Sequence, residues 1–248
     1  MSNSGSKAGR SGPIILAVDT SSSEARLAVS ISESVVAALT IKNDRPHSHT
    51  LFSQISTLLH LADVKIEEVD AFAVATGPGS FTGLRVGMAA VKGLADGLNR
   101  PCLGVDSLDL QALASGIDGA HLVMLCGGRG EIYCGFRDVA SGDIVDRPTG
   151  DKVGEPLSVL RAMTEYLRRS PLIVVGDGGH KYKEEASELI DQSRVEGTTR
   201  TIFLKPGLNI PSVLAQRAAI LMKENRAAPA APHYVRRSDA ETMRERRQ

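Results

Sequence analysis

Tryptophan is absent from this 248-residue chain, and aromatic residues make up only 4%. That excludes the stacked aromatic platforms on which many proteins lay single-stranded bases. An excess of charge of either sign is also missing: 29 Lys and Arg stand against 29 Asp and Glu. A protein that grips nucleic acid unaided usually carries a surplus of positive charge, so any RNA contact is expected to be shared with a partner. Cysteine is scarce. Cys102, Cys126 and Cys134 form no Cys-x-x-Cys pair, which argues against a disulfide framework and a zinc site and makes the cytoplasm the expected compartment. No apolar run approaches the roughly 18–20 residues that span a bilayer. Signature motifs are lacking too: there is no Gly-x-Ser-x-Gly elbow, His-Glu-x-x-His pair, kinase set or Walker A ending. His47 and His49 offer two metal ligands with no evident third. His49 and His60 share a helix face but lie about 16 Å apart at the rise of an α-helix, so no metal site is expected.

What is present is an ordinary folded composition, 42% hydrophobic and 23% charged in 26.3 kDa. It suits one large domain or two intimate lobes. Residues 1–13 are Ser/Gly-rich and read as a tail. The core opens with the apolar run Ile14–Val18, ending in Asp19, a buried strand. Two alternating segments follow around Ala25–Ile31 and Val35–Ile41, joined tightly enough for a hairpin. Leu51, Phe52, Ile55, Leu58, Leu59 and Ala62 then form a helical stripe with Ser48 as its N-cap. Ala71–Ala75 is a strand, Phe81–Leu98 a helix, and Pro101–Val105 the start of another strand. The second half repeats the order. Leu122–Cys126, Ile132–Phe136 and Asp143–Arg147 are strands; Pro156–Arg169 is a helix; Leu172–Val175 is a strand; Tyr182–Ile190 is a helix. Tandem βββαβα units predict an α/β, two-lobed actin-like ATPase fold built on a duplicated ribonuclease-H-like unit. A doubly wound βαβ fold competes, but the opening hairpin counts against it. The expected lobes are 14–105 and 106–226, with the last helix, about Ser212–Glu224, able to return to the first. Residues 227–248 form a charged tail.

Three segments could carry chemistry. Asp19, Thr20 and Ser21 end the first strand, where hydroxyls and backbone N–H groups suit phosphate oxygens; the bland alternative is a simple Asx turn. Gly176, Asp177, Gly178 and Gly179 follow a strand of the second half and could admit a ligand close to the backbone, or simply turn the chain. Together they outline a degenerate cleft for ATP or ADP, with a partner interface as the other place for such a nucleotide. The string Gly77, Pro78, Gly79, Ser80, Phe81, Thr82, Gly83, Leu84, Arg85 leads into a helix that keeps several glycines, each costing roughly 1 kcal/mol against Ala. Gly83, Gly87, Ala90 and Leu94 fall on one smooth stripe. It can pack on the chain's own sheet or against another subunit; on the second reading Gly87→Arg blocks pairing and leaves the fold intact.

The chain resembles the TsaB (YeaZ) family. The likeness lies in Ile15 to Ser21, His49-Thr50, Gly77 to Gly87, Arg129-Gly130-Glu131-Ile132-Tyr133, Val175 to Gly178 and Tyr234-Val235-Arg236-Arg237, and covers about residues 14–240. The resemblance implies a non-catalytic scaffold for forming N6-threonylcarbamoyladenosine next to the anticodon of tRNA. It implies pairing with the transferase TsaD, recruitment of the ATPase TsaE, and a functional link to a TsaC/Sua-type threonylcarbamoyl-AMP synthase. tRNA would be met through the complex, and the chain alone would form a homodimer. The implied interface uses both first-lobe helices: His49, Leu51, Phe52, Ile55, Leu59, Gly83, Gly87, Ala90 and Leu94. Cys126 stands where many relatives carry Asp, and a thiol is no oxygen ligand for Mg²⁺. An independent actin-like ATPase or small-molecule kinase, with Asp19 orienting a metal, is the alternative. A peptidase is disfavoured because no nucleophile–base pair stands out in the sequence.

Overall fold

The computed structural model describes residues 11–42, 46–193, 200–205, 207 and 209–235. The chain divides into two compact units. Residues up to Ala75, with Thr82–Val105 and Pro211–Ala231, form the first; Thr76–Phe81, Asp106–Ile210 and residues from Pro232 form the second.

In the first unit the elements run β1 (Ile14–Asp19), β2 (Glu24–Ile31), β3 (Ser34–Lys42), α1 (His47–Leu61), a 3-10 turn at Ile66–Glu68, β4 (Ala71–Ala75), α2 (Phe81–Gly97) and β5 (Cys102–Val105). The sheet order is β3-β2-β1-β4-β5. β1 and β2 pair antiparallel, as do β2 and β3, whereas β4 joins β1, and β5 joins β4, in parallel. The continuous apolar runs explain the order: β1 and β4 are buried on both faces and take central places. β3 alternates, keeps one face wet and forms an edge. Leu51, Ile55, Leu58 and Leu59 of α1 and Met88, Val91 and Ala95 of α2 close one core over Leu16, Val18, Leu27, Phe72 and Val74. The other outer strand, β5, is covered by residues 228–230: Leu103 bridges Pro229, and Ala230 N–H donates to the Cys102 carbonyl at 3.0 Å. A proline is tolerated there because an edge position demands no donor on its outer side.

The second unit contains α3 (Ser107–Leu113), β6 (Gly119–Gly128), β7 (Glu131–Ala140), β8 (Asp143–Asp146), β9 (Lys152–Gly154), α4 (Pro156–Arg161), α5 (Thr164–Leu167), β10 (Leu172–Val175), α6 (Asp177–Lys181), α7 (Lys183–Gln192) and β11 (Thr201–Phe203). Its sheet runs β11-β10-β6-β7-β8, and β9 pairs with β7. Counted from its own first strand this is again 3-2-1-4-5, with an antiparallel opening and parallel β6–β10 and β10–β11 pairs. The last helix, α8 (Ile210–Lys223), buries Leu214, Ala215 and Ala218 and, from Pro211 onward, belongs to the first unit.

Several details differ from the sequence expectation. The helix expected over Pro156–Arg169 is two: Met163, at φ −122° and ψ 15°, leaves the helical region between α4 and α5. Tyr182 separates α6 from α7 in the same way. α1 begins at His47 behind Pro46 with no side-chain cap, so Ser48 lies inside its first turn. α3, α6, β9 and β11 are further elements that the sequence expectation lacks. Arg236 and Arg237, residues 1–10 and the end of the charged tail lie outside the described residues.

Candidate functional site

Asp19 ends β1 with its carboxylate already engaged. Oδ1 accepts the Ser21 N–H at 2.8 Å and Oδ2 faces Arg26 Nη1 at 3.3 Å. Arg26 also pairs with Glu24 at 2.8 Å. Burial would lower the Arg26 pKa, but Asp19 and Glu24 outweigh it and hold the pKa above the ordinary value. Asp19 is 2% exposed, so this charge is balanced within the chain. Thr20 turns the other way: its hydroxyl donates to the Gly83 carbonyl at 2.7 Å.

That contact revises the glycine stripe. Gly83 and Gly87 are buried, and a Cβ on Gly87 would sit far inside contact distance of Thr20 Oγ1. Gly87 therefore lets α2 approach the end of β1, and Gly87→Arg would damage the fold rather than only block pairing. Leu51, Ile55 and Leu59 are likewise core residues, and Ala90 and Leu94 are half-buried against the same core. What the two helices leave in the open is different. Phe52 is 59% exposed, and His49, Ser53 and Ser56 are exposed on α1. On α2, Arg85, Ala89, Gly93 and Gly97 are exposed at four-residue spacing.

The Gly176 turn is also explained within the chain. Gly176 has φ +95°, and any Cβ there would run into the Met124 carbonyl oxygen; a Cβ on Gly178 would meet the same atom at 2.9 Å. The glycines thus seat α6 against β6. Asp177 Oδ1 accepts the Cys126 and Gly178 N–H groups, each at 2.9 Å, and is occupied. Burial, reinforced by Asp177, pushes the Cys126 thiol up to about 11, so it stays protonated and is a poor cation ligand. Asp19 and Asp177 thus each hold partners within the chain, and the Met124 backbone fills the space beside Gly176 and Gly178. Signature residues Arg129 and Gly130 form the β6–β7 hairpin turn, with φ of 53° and 79°.

A charge cluster in the second unit escaped the sequence reading. Arg137, 1% exposed on β7, reaches Asp106 at 3.2 Å, Asp109 at 2.5 Å and Asp151 at 2.9 Å. Arg147 adds a second cation on Asp109. Burial would lower the Arg137 pKa, but the three carboxylates together hold it well above the ordinary value. Asp106, Asp151 and His233 bring ligand atoms within 4.8 Å of one another. Arg137 and, when protonated, His233 already supply the positive charge there. His233 Nδ1 lies 2.8 Å from Asp106 Oδ2, the His233 backbone N–H donates to the Thr76 carbonyl at 2.8 Å, and Tyr234 packs at a tilt against Phe81 with centroids 5.2 Å apart. Arg137 following the apolar Ile132–Phe136 stretch was the available signal; its partners Asp106, Asp109 and Asp151 match no motif.

Two sheets of order 3-2-1-4-5, each opening with antiparallel strands and closing with parallel ones, define the duplicated ribonuclease-H-like architecture of the actin-like ATPase class. Over residues 34–242 the chain matches the family described as TsaD, tRNA N6-adenosine threonylcarbamoyltransferase. It is 27% identical over 231 residues to the tRNA threonylcarbamoyladenosine biosynthesis protein TsaB of Bacillus subtilis, covering 92% of this chain and 96% of that one. It is 33% identical over 129 residues to a tRNA N6-adenosine threonylcarbamoyltransferase of a Jannaschia species, but spans only 35% of that longer enzyme. The solved structure of YeaZ from Pseudomonas aeruginosa superposes with a TM-score of 0.68 at 22% identity, over 90% of this chain and 99% of that one, and shares its fold. The chain belongs to the TsaD-type threonylcarbamoyltransferase family, in its TsaB/YeaZ branch. Among the described residues no helix is long and apolar enough to cross a membrane.

Proposed function

We propose that the chain is the non-catalytic scaffold of the machinery that makes tRNA N6-threonylcarbamoyladenosine. It pairs with a TsaD-type transferase, helps recruit the TsaE ATPase and acts after a TsaC/Sua-type synthase has activated the threonylcarbamoyl group. The end-to-end match to a TsaB protein, 92% of one chain against 96% of the other, carries this reading. The engaged state of Asp19 and Asp177 and the neutral Cys126 thiol support a role without nucleotide chemistry of its own. For the partner surface, the reading uses exposed Phe52 on α1 and the small-residue stripe Ala89, Gly93 and Gly97 on α2. A Cβ at Gly93 or Gly97 would meet nothing within 4 Å. Small exposed residues let a second helix come close, and an exposed aromatic is a common interface anchor. Without TsaD, the same surface would pair two copies isologously.

The test is threonylcarbamoyl transfer to tRNA by purified TsaD, TsaE and the synthase, with and without this chain. Modified adenosine is expected only when it is present. Phe52→Asp and Gly93→Arg should abolish co-elution with TsaD while the thermal unfolding midpoint stays that of the parent chain. Full transfer in its absence overturns the proposal; co-elution by both folded variants overturns this choice of surface.

A further inference from the structure

Ser115 lies in the loop between α3 and β6 and His121 inside β6, and the scaffold role uses neither. His121 is fully buried. Its Nδ1 lies 3.0 Å from the Gly119 carbonyl. A carbonyl can only accept, so Nδ1 carries the proton and Nε2 presents a lone pair. Ser115 Oγ lies 2.7 Å from that Nε2, and its hydroxyl is therefore the donor. The competing acceptor, the Ile117 carbonyl, is 3.4 Å away and too distant to hold the proton. Ile117 N–H donates to the serine oxygen at 3.1 Å, fixing its position while leaving one lone pair for attack. This is the relation of a nucleophile to its general base, with a backbone carbonyl orienting the imidazole.

The surroundings agree. Burial pushes the His121 pKa below the ordinary range, against the opposing pull of the Gly119 carbonyl and the Asp138 and Asp118 carboxylates. Asp138 is itself paired with Arg169, and Arg137 stands opposite His121 in the β6–β7 register. A lowered pKa favours the neutral ring, which can take a proton. Ser115 also lines a cavity of about 210 Å³, shared with Gln111, Ala114, Gly176 and Lys205. Of the lining residues, Gln111 is polar and 7% exposed, and Lys205 is cationic and exposed.

We propose that Ser115, with His121 as base, is a nucleophilic site that accepts an acyl group from a small anionic activated ester or mixed anhydride. The Ser115 proton passes to His121 Nε2 as the Oγ–C bond forms. The bond from the acyl carbon to the leaving group then breaks, and the leaving group departs with that proton. Water, losing a proton to His121, attacks the acyl-serine; Ser115 Oγ leaves and takes the proton back, releasing the free acid. Gln111 and Lys205 line the cavity that such a donor would occupy, and its volume restricts the acyl group to a compact one.

The full chain is incubated with diisopropyl fluorophosphate, which reports the same chemistry at phosphorus. The Oγ–P bond forms, the P–F bond breaks, fluoride leaves and His121 receives the proton. Intact mass and peptide mapping are expected to give one adduct, on Ser115. Ser115→Ala should remove it, and His121→Gln should slow labelling about 100-fold, the usual contribution of a general base. On the parent chain the labelling rate should fall as pH drops through the imidazole titration. A missing adduct, an adduct on another residue, or Ser115 labelling at a rate indifferent to both pH and His121→Gln overturns the proposal. The mapped adduct and the pH profile come from the parent chain, so a variant that fails to fold leaves the test intact. None of these readouts depends on TsaD, so the scaffold proposal stands or falls separately.

Discussion

A methyl group added at Gly87 would collide with Thr20 Oγ1, whose proton already goes to the Gly83 carbonyl at 2.7 Å. Thr20 is 1% exposed and cannot swing into solvent. Gly87→Ala should therefore lower stability by about 1–3 kcal/mol, the range for overpacking a tight core, read as a shift in the urea midpoint. Combining it with Thr20→Ala should recover part of that loss, because the two residues touch and their effects are not additive. Spacing alone could not reveal this. A stripe of glycines looks the same in sequence whether it faces a partner or the chain's own strand, and the deciding atom lies 67 positions away at Thr20. Asp19 was legible as a strand-end carboxylate because the apolar run Ile14–Val18 stops at it, but its engagement by Arg26 was not. That pair forms only once β1 and β2 align Asp19 opposite Arg26.

On α2 the same substitution has opposite signs on two faces. At Gly93 an added Cβ meets nothing within 4 Å, so Gly93→Ala keeps every contact and gains helix propensity. It should raise the stability of the isolated chain by about 0.5–1 kcal/mol, checked in the same urea experiment that shows the loss at Gly87. If TsaD uses this face, Gly93→Ala should also leave pairing nearly intact where Gly93→Arg does not. The segment around His233 offers a pH readout at the same scale. Asp106 bonds the ring and raises its pKa above the ordinary histidine value, against a partial loss from burial, with Asp151 also raising it and Arg137 opposing. A raised folded pKa means the contribution is complete below about pH 6.5, the unfolded value. It fades as pH rises through the elevated folded value. The side chain is 44% exposed, so the effect should stay under about 1 kcal/mol. The gap in melting temperature between parent and His233→Ala should be wider at pH 6 than at pH 9; a gap independent of pH would sink the assignment. At this scale, long periodic segments such as α1 and α2 were readable. The break at Met163 was not, because Leu157, Leu160, Met163 and Leu167 keep helical spacing across it.

For the whole chain, the duplicated strand order was readable because buried strands are apolar runs and the opening strands alternate in both halves. β9 and β11, three residues each, are too short to show a period. α8 joins the first unit through contacts distant in sequence, which periodicity can suggest but not place. The same long-range view bears on nucleotide chemistry. An actin-like fold that hydrolyses ATP needs carboxylates free to organise a cation and its water. Here Asp19 is balanced by Arg26, and Asp177 accepts two backbone N–H groups. At the end of β6, Cys126 has a thiol held neutral by burial. The purified chain should therefore turn over ATP no faster than a buffer control in the presence of Mg²⁺. Asp19→Ala should leave that background unchanged and instead lower the melting temperature, since it removes one partner of the buried Arg26. Turnover above background that disappears in a folded Asp19→Ala variant would reverse the conclusion, because it would mean that the carboxylate leaves Arg26 to serve a metal when nucleotide arrives.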